Sequence, residues 1–416
     1  MGTTIRVTLI TMTMLGVVMT TIGCRNGQQR RYRIAGEGVM AKYDAKRDRI
    51  VHFGAPNKPR KNILDTNDLT KDPDPAGSYH FFGGTYTWIA PQSDWVDEHG
   101  EARDWPPDPA MDRGPTYVRR LSFTGLEAEG PVDRRGLRQI KTLEIRPGKQ
   151  MDFTYEIVND GEETRRAAPW VISAAPARAI IAVPKPRFSS IRFNHDEAAE
   201  MWDEVVEDAG DWLLLPTERF YWWTGGRNDF KAFIPSEPVI AIWRQNWWLL
   251  RVGEEFDDAG SLWEAGEAPV EVYFNYGLEL FEAELLGPIA ELGPGESTVW
   301  NERWFLIHSN SPDTGVLDEA LAEWRRRQNR HDEEMDDLGG DADTDADDDR
   351  PPTFLELTED KDDGVEGGMS DEPLLEVDEP ADEPDTIPAF PILEPDEPED
   401  EPITPIQPVK DPPRRR

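Results

Sequence analysis

Glu282 and Glu284 stand two positions apart in the segment FEAELLGP. On a β-strand that spacing puts both carboxylates on one face, roughly 7 Å apart. Like charges held that close raise the pKa of one member, which is how a carboxyl comes to hold a proton near neutrality. A solvated polar strand face carries the same spacing and does no chemistry, so the residues alone leave both readings open. A second stretch, HFFGGTYTWIAPQSDW from His80 to Trp95, packs one His, paired glycines, two Trp and a Pro-Gln together. Gly83 and Gly84 let a strand bend or bring backbone close to a ligand. Regular alternation would place Trp88 on the face of His80, with Trp95 beyond the turn at Pro91. The stretch is then either the floor of a ligand site, lined by Trp88, Gln92, Asp94 and Trp95, or a core strand with a structural turn. FYWWTGGRNDF poses the same choice. Read as a strand, it points Trp222 and Trp223 opposite ways, with Arg227 and Lys231 close behind.

The elements that must position these groups are mostly strands. LRQIKTLEIRPGKQMDFTYEIVNDGEE reads as two alternating runs joined at RPGK and closed at NDGEE. Ile140, Leu143 and Ile145 follow the period of two loosely; Met151, Phe153, Tyr155 and Ile157 follow it cleanly. A second pair is expected between PVEVYFNYGLELFEAELLGPIAEL and STVWNERWFLIH, across a Pro-Gly turn. In the latter, Trp300, Trp304 and Leu306 share one face while Asn301 and Arg303 take the other. PVIAIWRQNWWLLRVG predicts a hairpin turning at Gln245-Asn246. Two helices are expected. DEAAEMWDEVVEDAG gathers Met201, Trp202, Val205 and Val206, with Gly210 as its stop; DTGVLDEALAEWRRRQNR gathers Leu317, Ala320, Leu321 and Trp324. Long antiparallel runs with few helices predict packed sheets in one domain of roughly 300 residues, without an internal linker or repeat.

The two ends differ in kind from this middle. Arg6 is the only charge before the uncharged run VTLITMTMLGVVMTTIG, which ends at Cys24, the chain's single cysteine. The run suits an export signal and makes a poor permanent span. TIGC resembles a lipobox, with Thr21 where Leu is usual, so residues 1–23 are expected to be a lipoprotein signal peptide and Cys24 its lipidation site. Residues 24–35 read as a lipidated linker and 36–330 as the folded domain. Arg25 follows the cysteine, unlike the Asp of inner-membrane retention signals, which leaves a cell-envelope location at the outer membrane or periplasmic face. Residues 331–416 hold 32 Asp or Glu against 6 Lys or Arg, within a formal net charge of −38, and none of the fifteen Trp. Stretches such as EPDEPEDEPITP combine charge repulsion with Pro, so this tail is expected to be disordered. So acidic a chain gives no support to nucleic-acid binding.

The order of these segments resembles the galactose-mutarotase fold, a β-supersandwich of aldose epimerases and other sugar-active proteins. Specifically, it resembles a bacterial lipoprotein family carrying such a domain. The segments that carry the resemblance are RIVHFGAPNKPRKNIL, FGGTYTWIAPQSDW, DWPPDPAMDRGP, FTYEIVNDGEETRRAAPWVIS and YGLELFEAELLGPIAELGPGESTVWNERWFL, over about residues 36–308. The resemblance implies a mainly β, galactose-mutarotase-like supersandwich and carbohydrate as partner. Mutarotases open a pyranose with a Glu base and a His acid. The resemblance makes Glu284, or Glu282 beside it, the candidate base. The family's His falls in APWVISAAP, which holds Trp170 and Ser173 and no His. Of the six His, at 52, 80, 99, 195, 308 and 331, His80 in HFFGG is the replacement candidate for the acid.

Sugars present C–H faces that stack on Trp and hydroxyls that need amides and acids. Trp88, Gln92, Trp95, Trp222 and Glu282 are therefore the candidate ligand contacts, while Arg227 and Lys231 would pair with an acidic or phosphorylated sugar. No nucleophilic Cys, Gly-x-Ser-x-Gly, phosphate loop or His-rich metal spacing occurs, so neither cofactor nor metal is expected. Three functions follow: a non-catalytic carbohydrate-binding envelope lipoprotein, an aldose 1-epimerase-type isomerase with Glu284 as base, or a structural envelope protein whose acidic tail docks a partner. Oligomeric state is not legible.

Overall fold

A computed structural model of the chain describes the backbone of residues 31–339 except 59–60, 68, 70, 72–78, 113, 188, 223–228, 256–262, 264–266 and 276–279. The chain divides into two units, Met1–Ala342 and Asp343–Arg416, and every described residue falls in the first. The signal segment with Cys24 and nearly all of the acidic tail thus lie outside the described residues.

Strands β1 (Arg31–Gly36), β2 (Val39–Asp44), β3 (Arg49–Gly54) and β4 (Thr85–Ala90) come first, followed by a short helix α1 (Pro109–Asp112). Next come β5 (Tyr117–Arg120), β6 (Gly125–Val132), β7 (Leu137–Arg146), β8 (Gln150–Asn159), β9 (Arg165–Ala174), β10 (Ile180–Pro184) and β11 (Arg192–Phe193). Helix α2 (Asp196–Val205) leads to β12 (Glu207–Ala209) and β13 (Trp212–Pro216), and helix α3 (Thr217–Trp222) to β14 (Asp229–Ile234), β15 (Val239–Arg244) and β16 (Trp247–Gly253). β17 (Val270–Asn275), β18 (Leu280–Leu286), β19 (Ala290–Leu292) and β20 (Ser297–His308) complete the strands before helix α4 (Gly315–Gly339). One sheet runs β1-β2-β3-β4-β9-β18-β17-β14-β11, with β19 added on β9; the other runs β12-β13-β10-β15-β16-β20-β8-β7-β6-β5. All pairings of the two sheets are antiparallel, as the alternating runs require. The fold is mainly β with two antiparallel sheets and few helices. β1 starts inside the segment read as linker, and α4 runs past residue 330.

The RPGK hairpin forms as expected, with Leu137 opposite Asn159 and Arg146 opposite Gln150. Its first strand has a looser period for a physical reason. The buried face of β7 carries Gln139 and Lys141 beside Leu143 and Ile145, while Ile140 points the other way. Lys141 is neutralised by Asp48 at 2.5 Å, and Gln139 donates to the Met111 carbonyl at 3.0 Å, so polar residues occupy core positions at no orphan cost. The Gln245-Asn246 turn has both residues at positive φ, 50° and 69°, the geometry of a type I′ hairpin.

Three expectations are corrected. Strand β20 does not pair with the β17–β18 segment: it lies between β8 and β16 in the opposite sheet, while β17 and β18 form a hairpin with each other. The α2 segment ends at Val205, with Val206 already extended, and Gly210 (φ 71°) makes the turn between β12 and β13 instead of stopping the helix. The Trp222 segment is the end of helix α3, not a strand, so the two-face argument for Trp222 and Trp223 fails.

Between the sheets lies an ion pair with no solvent exposure. Arg251 of β16 grips Glu302 of β20 through Nε at 2.9 Å and Nη2 at 2.8 Å. Its remaining N–H groups cross to the other sheet, donating to Ser173 Oγ (2.9 Å), the Ala283 carbonyl (3.1 Å) and the Val171 carbonyl (3.0 Å). The indoles of Trp300 and Trp304 donate to Glu302 at 3.0 and 2.7 Å. Removing one partner strands the other charge in the core. Glu302→Ala should therefore lower stability by about 3–5 kcal/mol in urea unfolding, whereas Arg251→Met with Glu302→Leu should recover most of that loss. A single-variant loss below about 1 kcal/mol would show the pair is not needed.

Candidate active and binding face

The register of the first sheet brings a set of chemically capable side chains onto the face turned away from the second sheet. Tyr86 lies opposite Ile172, Ile172 opposite Glu284, Glu284 opposite Glu271 and Glu271 opposite Phe233. The neighbouring row runs Ala174, Glu282, Tyr273, Lys231. Directly opposed residues share a face, so five strands contribute to one cluster while Ser173 and Ala283, alternating with them, face Arg251. Trp88 and Trp170 form a further opposed pair on the same face.

Glu282 and Glu284 are 4 % and 1 % exposed, and Glu271 1 %. They do not form a solvated strand face. Lys231 of β14, 18 % exposed, reaches between them, with Nζ 2.6 Å from Glu271 and 3.3 Å from Glu284. The indole of Trp170 donates to the same Glu284 oxygen at 2.7 Å, and the ammonium lies 4.7 Å from the Trp170 ring centroid. Tyr86 donates its hydroxyl to Glu282. Burial, and then the neighbouring Glu284 carboxylate, push Glu282 up to about 8. Burial likewise raises Glu271 to about 8 against the opposing pull of Lys231. Burial also works against the charge of Lys231, but Glu271 and Glu284 outweigh it and lift its pKa above the ordinary lysine value.

From this cluster an aromatic wall leads to solvent. Trp170 meets Trp88 edge-on at 5.2 Å, Trp88 meets Trp105 at 5.7 Å, and Trp105 meets Tyr79 at 4.7 Å; Trp105 is 50 % exposed. Trp95 closes one side at 5.7 Å from Trp88, its indole tied to the Ile89 carbonyl. Trp88 itself is held by a hydrogen bond to Asp112 at 3.0 Å, and Asp112 by the buried Arg49 at 3.2 Å. Among the described residues no group of three or more His, Cys, Asp or Glu is arranged to hold a metal ion; a lysine ammonium stands among the three glutamates instead.

The structure brings together Glu282, Glu284, Lys231, Trp88 and Trp95. It does not bring Gln92 or Asp94 into the cluster, since Gln92 donates to the Asp104 carbonyl and Asp94 pairs with Arg166 at the surface. His80 packs edge-on against Phe82 at 4.6 Å. The alternation that would put it on the face of Trp88 is broken by Gly83 and Gly84, at φ 68° and 79°; a side chain at Gly83 would meet the Asp65 carbonyl at 2.5 Å. The Trp222 side chain and Arg227 lie outside the described residues. Sequence reasoning missed Glu271, Tyr86 and Asp112. Glu271 was recognisable only as a charged residue inside the apolar run PVEVYF, and Tyr86 and Asp112 only by their partners.

A groove of about 630 Å³ lies elsewhere, on the outer face of the second sheet beneath α4. Its charges are committed to one another: Arg146 to Asp152 at 2.6 Å, Arg325 to Glu255 at 3.4 Å. The aromatic face is therefore the better candidate.

Comparison with solved structures finds similar chains. The chain is similar to mutarotase-like proteins. A galactose mutarotase-like protein from Lactobacillus casei aligns at 10 % identity and TM-score 0.46, over 67 % of this chain and 100 % of that one. A galactose mutarotase related enzyme from Lactobacillus acidophilus aligns at 8 % and 0.41, over 68 % and 99 %. An aldose epimerase homologue from C. elegans aligns at 11 % and 0.40, over 67 % and 99 %. No family model and no curated protein matches the chain.

The raised carboxyls make stability depend on pH. An unfolded Glu releases its proton near pH 4.3, whereas folded Glu282 keeps it to about 8. Between those values the folded state binds the extra proton, so the contribution of Glu282 to stability is complete below the window and falls as pH rises through it, by up to about 1.4 kcal/mol per pH unit. Glu282→Gln keeps an acceptor for Tyr86 and should flatten the decline measured by urea unfolding from pH 5 to 8. An unchanged slope would show that Glu282 ionises in the fold as it does in water.

Proposed function

We propose that this domain binds carbohydrate without acting on the anomeric centre, and that it is displayed in the cell envelope from a lipid on Cys24. The observation that carries the binding reading is the continuous wall of Tyr79, Trp105, Trp88 and Trp170 ending at Lys231 and Glu284. Trp rings supply stacking surface for C–H faces, and an ammonium beside carboxylates supplies donor and acceptor for hydroxyls. The exposed end of the wall admits a ligand, and the buried end orients it.

The non-catalytic reading rests on the state of Glu284. A general base must have its lone pairs available to the proton it takes. One oxygen of Glu284 already accepts from the Trp170 indole and the Lys231 ammonium. Trp170 also occupies the stretch in which the resemblance calls for an acid, and an indole N–H donates hydrogen bonds without transferring its proton. Lys231, doubly paired and held charged, is a poor general acid for the same reason. Its engagement with two glutamates favours neutral sugars over acidic or phosphorylated ones.

The test is NMR on the purified protein with a panel of neutral and acidic reducing sugars. Saturation transfer to a neutral sugar is expected, with anomer exchange at the buffer rate. Trp105→Ala should weaken binding several-fold, the loss of about 1 kcal/mol of stacking. Exchange above the buffer rate that disappears in Glu284→Gln would make the protein an epimerase instead. Silence for every sugar would return the wall to the core. Palmitate labelling of the full chain, lost in Cys24→Ser, tests the anchor.

A further inference from the structure

Between Arg25 and Lys61 the sequence holds eleven Lys or Arg against three Asp or Glu, in a chain whose formal charge is −38. Some of these bases are structural: Arg31 and Arg47 pair with Asp44, and Arg49 pairs with Asp112. Arg33, Lys42 and Lys58 stand apart from these pairs. Register places Arg33 opposite Lys42, and Lys42 opposite His52, across β1, β2 and β3. At the same end Lys149, in the β7–β8 turn, lies against Gly38 of the β1–β2 turn, where a Cβ would meet it at 2.6 Å. The ammoniums of Lys149 and Lys58 stand 5.5 and 5.8 Å from the Trp247 ring centroid. Arg33, Lys58 and Lys149 are exposed and Lys42 half-buried. Among the described residues these four form no ion pair. Their field is felt at His52, which burial and then Lys42 and Arg33 push down to about 4.

Position along the chain says what this edge meets. Six residues lie between Cys24 and Arg31, so the seven Cα steps reach about 25 Å at full extension. A chain lipidated at Cys24 must therefore hold β1 within that distance of the bilayer. We propose that the cationic edge formed by Arg33, Lys42, Lys58 and Lys149 docks on an anionic phospholipid surface and gives the anchored protein its second membrane contact. The proposal rests on the lipid-anchor reading above. A single acyl chain gives only reversible attachment, and a basic patch is one way to strengthen it. With a Debye length of about 8 Å, acidic residues elsewhere are screened while the contacting edge is not.

The full chain carrying Cys24→Ser, which removes any lipid, is sedimented with vesicles of phosphatidylcholine alone or mixed with phosphatidylglycerol. Whatever the apolar leader contributes is common to both vesicles. Phosphatidylglycerol should raise the bound fraction several-fold at about 0.1 M salt, and the increment should vanish at about 1 M. The quadruple variant R33E/K42E/K58E/K149E should lose the increment while keeping its circular dichroism and melting temperature. The Gln versions, which disturb folding less, should lose most of it. An increment that survives charge reversal, or none in the parent, overturns the proposal. So does a patch whose only effect is salt-sensitive self-association, which would mean that it takes an acidic segment of another copy. Absence of palmitate labelling on the unmutated chain, with the increment intact, would sink the anchor and leave the docking edge standing.

Discussion

The Arg251–Glu302 pair is the constraint on which the rest of this structure depends. Two charges removed wholly from water are tolerable only if every lone pair and every N–H is used. Here the guanidinium is engaged by Glu302, by Ser173 and by two backbone carbonyls, and the carboxylate is further held by the indoles of Trp300 and Trp304. Those two carbonyls belong to β9 and β18. Any slip of either strand would leave part of the guanidinium unpaired at a cost of roughly 1–3 kcal/mol per orphaned group. The pair thus fixes the register of the two strands that carry Trp170, Glu282 and Glu284 on their opposite face.

From that register the character of the aromatic face follows. Because strands alternate with a period of two, locking Ser173 and Ala283 inward fixes Ile172, Ala174, Glu282 and Glu284 outward. β17 and β14 then bring Glu271 and Lys231 alongside by ladder pairing, without a loop being asked to hold a charged group in place. A second buried pair, Arg49 with Asp112, does the same service for the wall by fixing the Trp88 indole. The polar residues that look anomalous in a β-core are those that set the positions of the functional ones.

What could be read from the sequence divides along the line between local and long-range information. Alternation in β8 and the turn at Gln245-Asn246 are local, and both are found as expected. The spacing of Glu282 and Glu284 correctly placed them on one face, because period two holds whatever the strand's neighbours are. Their burial was not legible, since it depends on Tyr86, Trp170 and Lys231 arriving from other strands. The same limit explains the mispairing of β20. Its apolar face suits either sheet, and Glu302 among its tryptophans made sense only once Arg251 on the neighbouring strand was seen to reach it. The regular alternation expected from His80 to Trp88 is lost for a local reason, because two consecutive left-handed glycines reset it before β4 begins.

The glutamate–lysine cluster has one further consequence, for what the chain's charge means. The formal value of −38 counts every Asp and Glu as ionised. In the folded domain burial and the Glu284 carboxylate lift Glu282 to about 8, so the native molecule at neutrality is less negative than its composition. Folding takes up protons from the medium and unfolding returns them. The formal charge therefore overstates the native one by about that proton, and the proton uptake measured on refolding at fixed pH reads the difference.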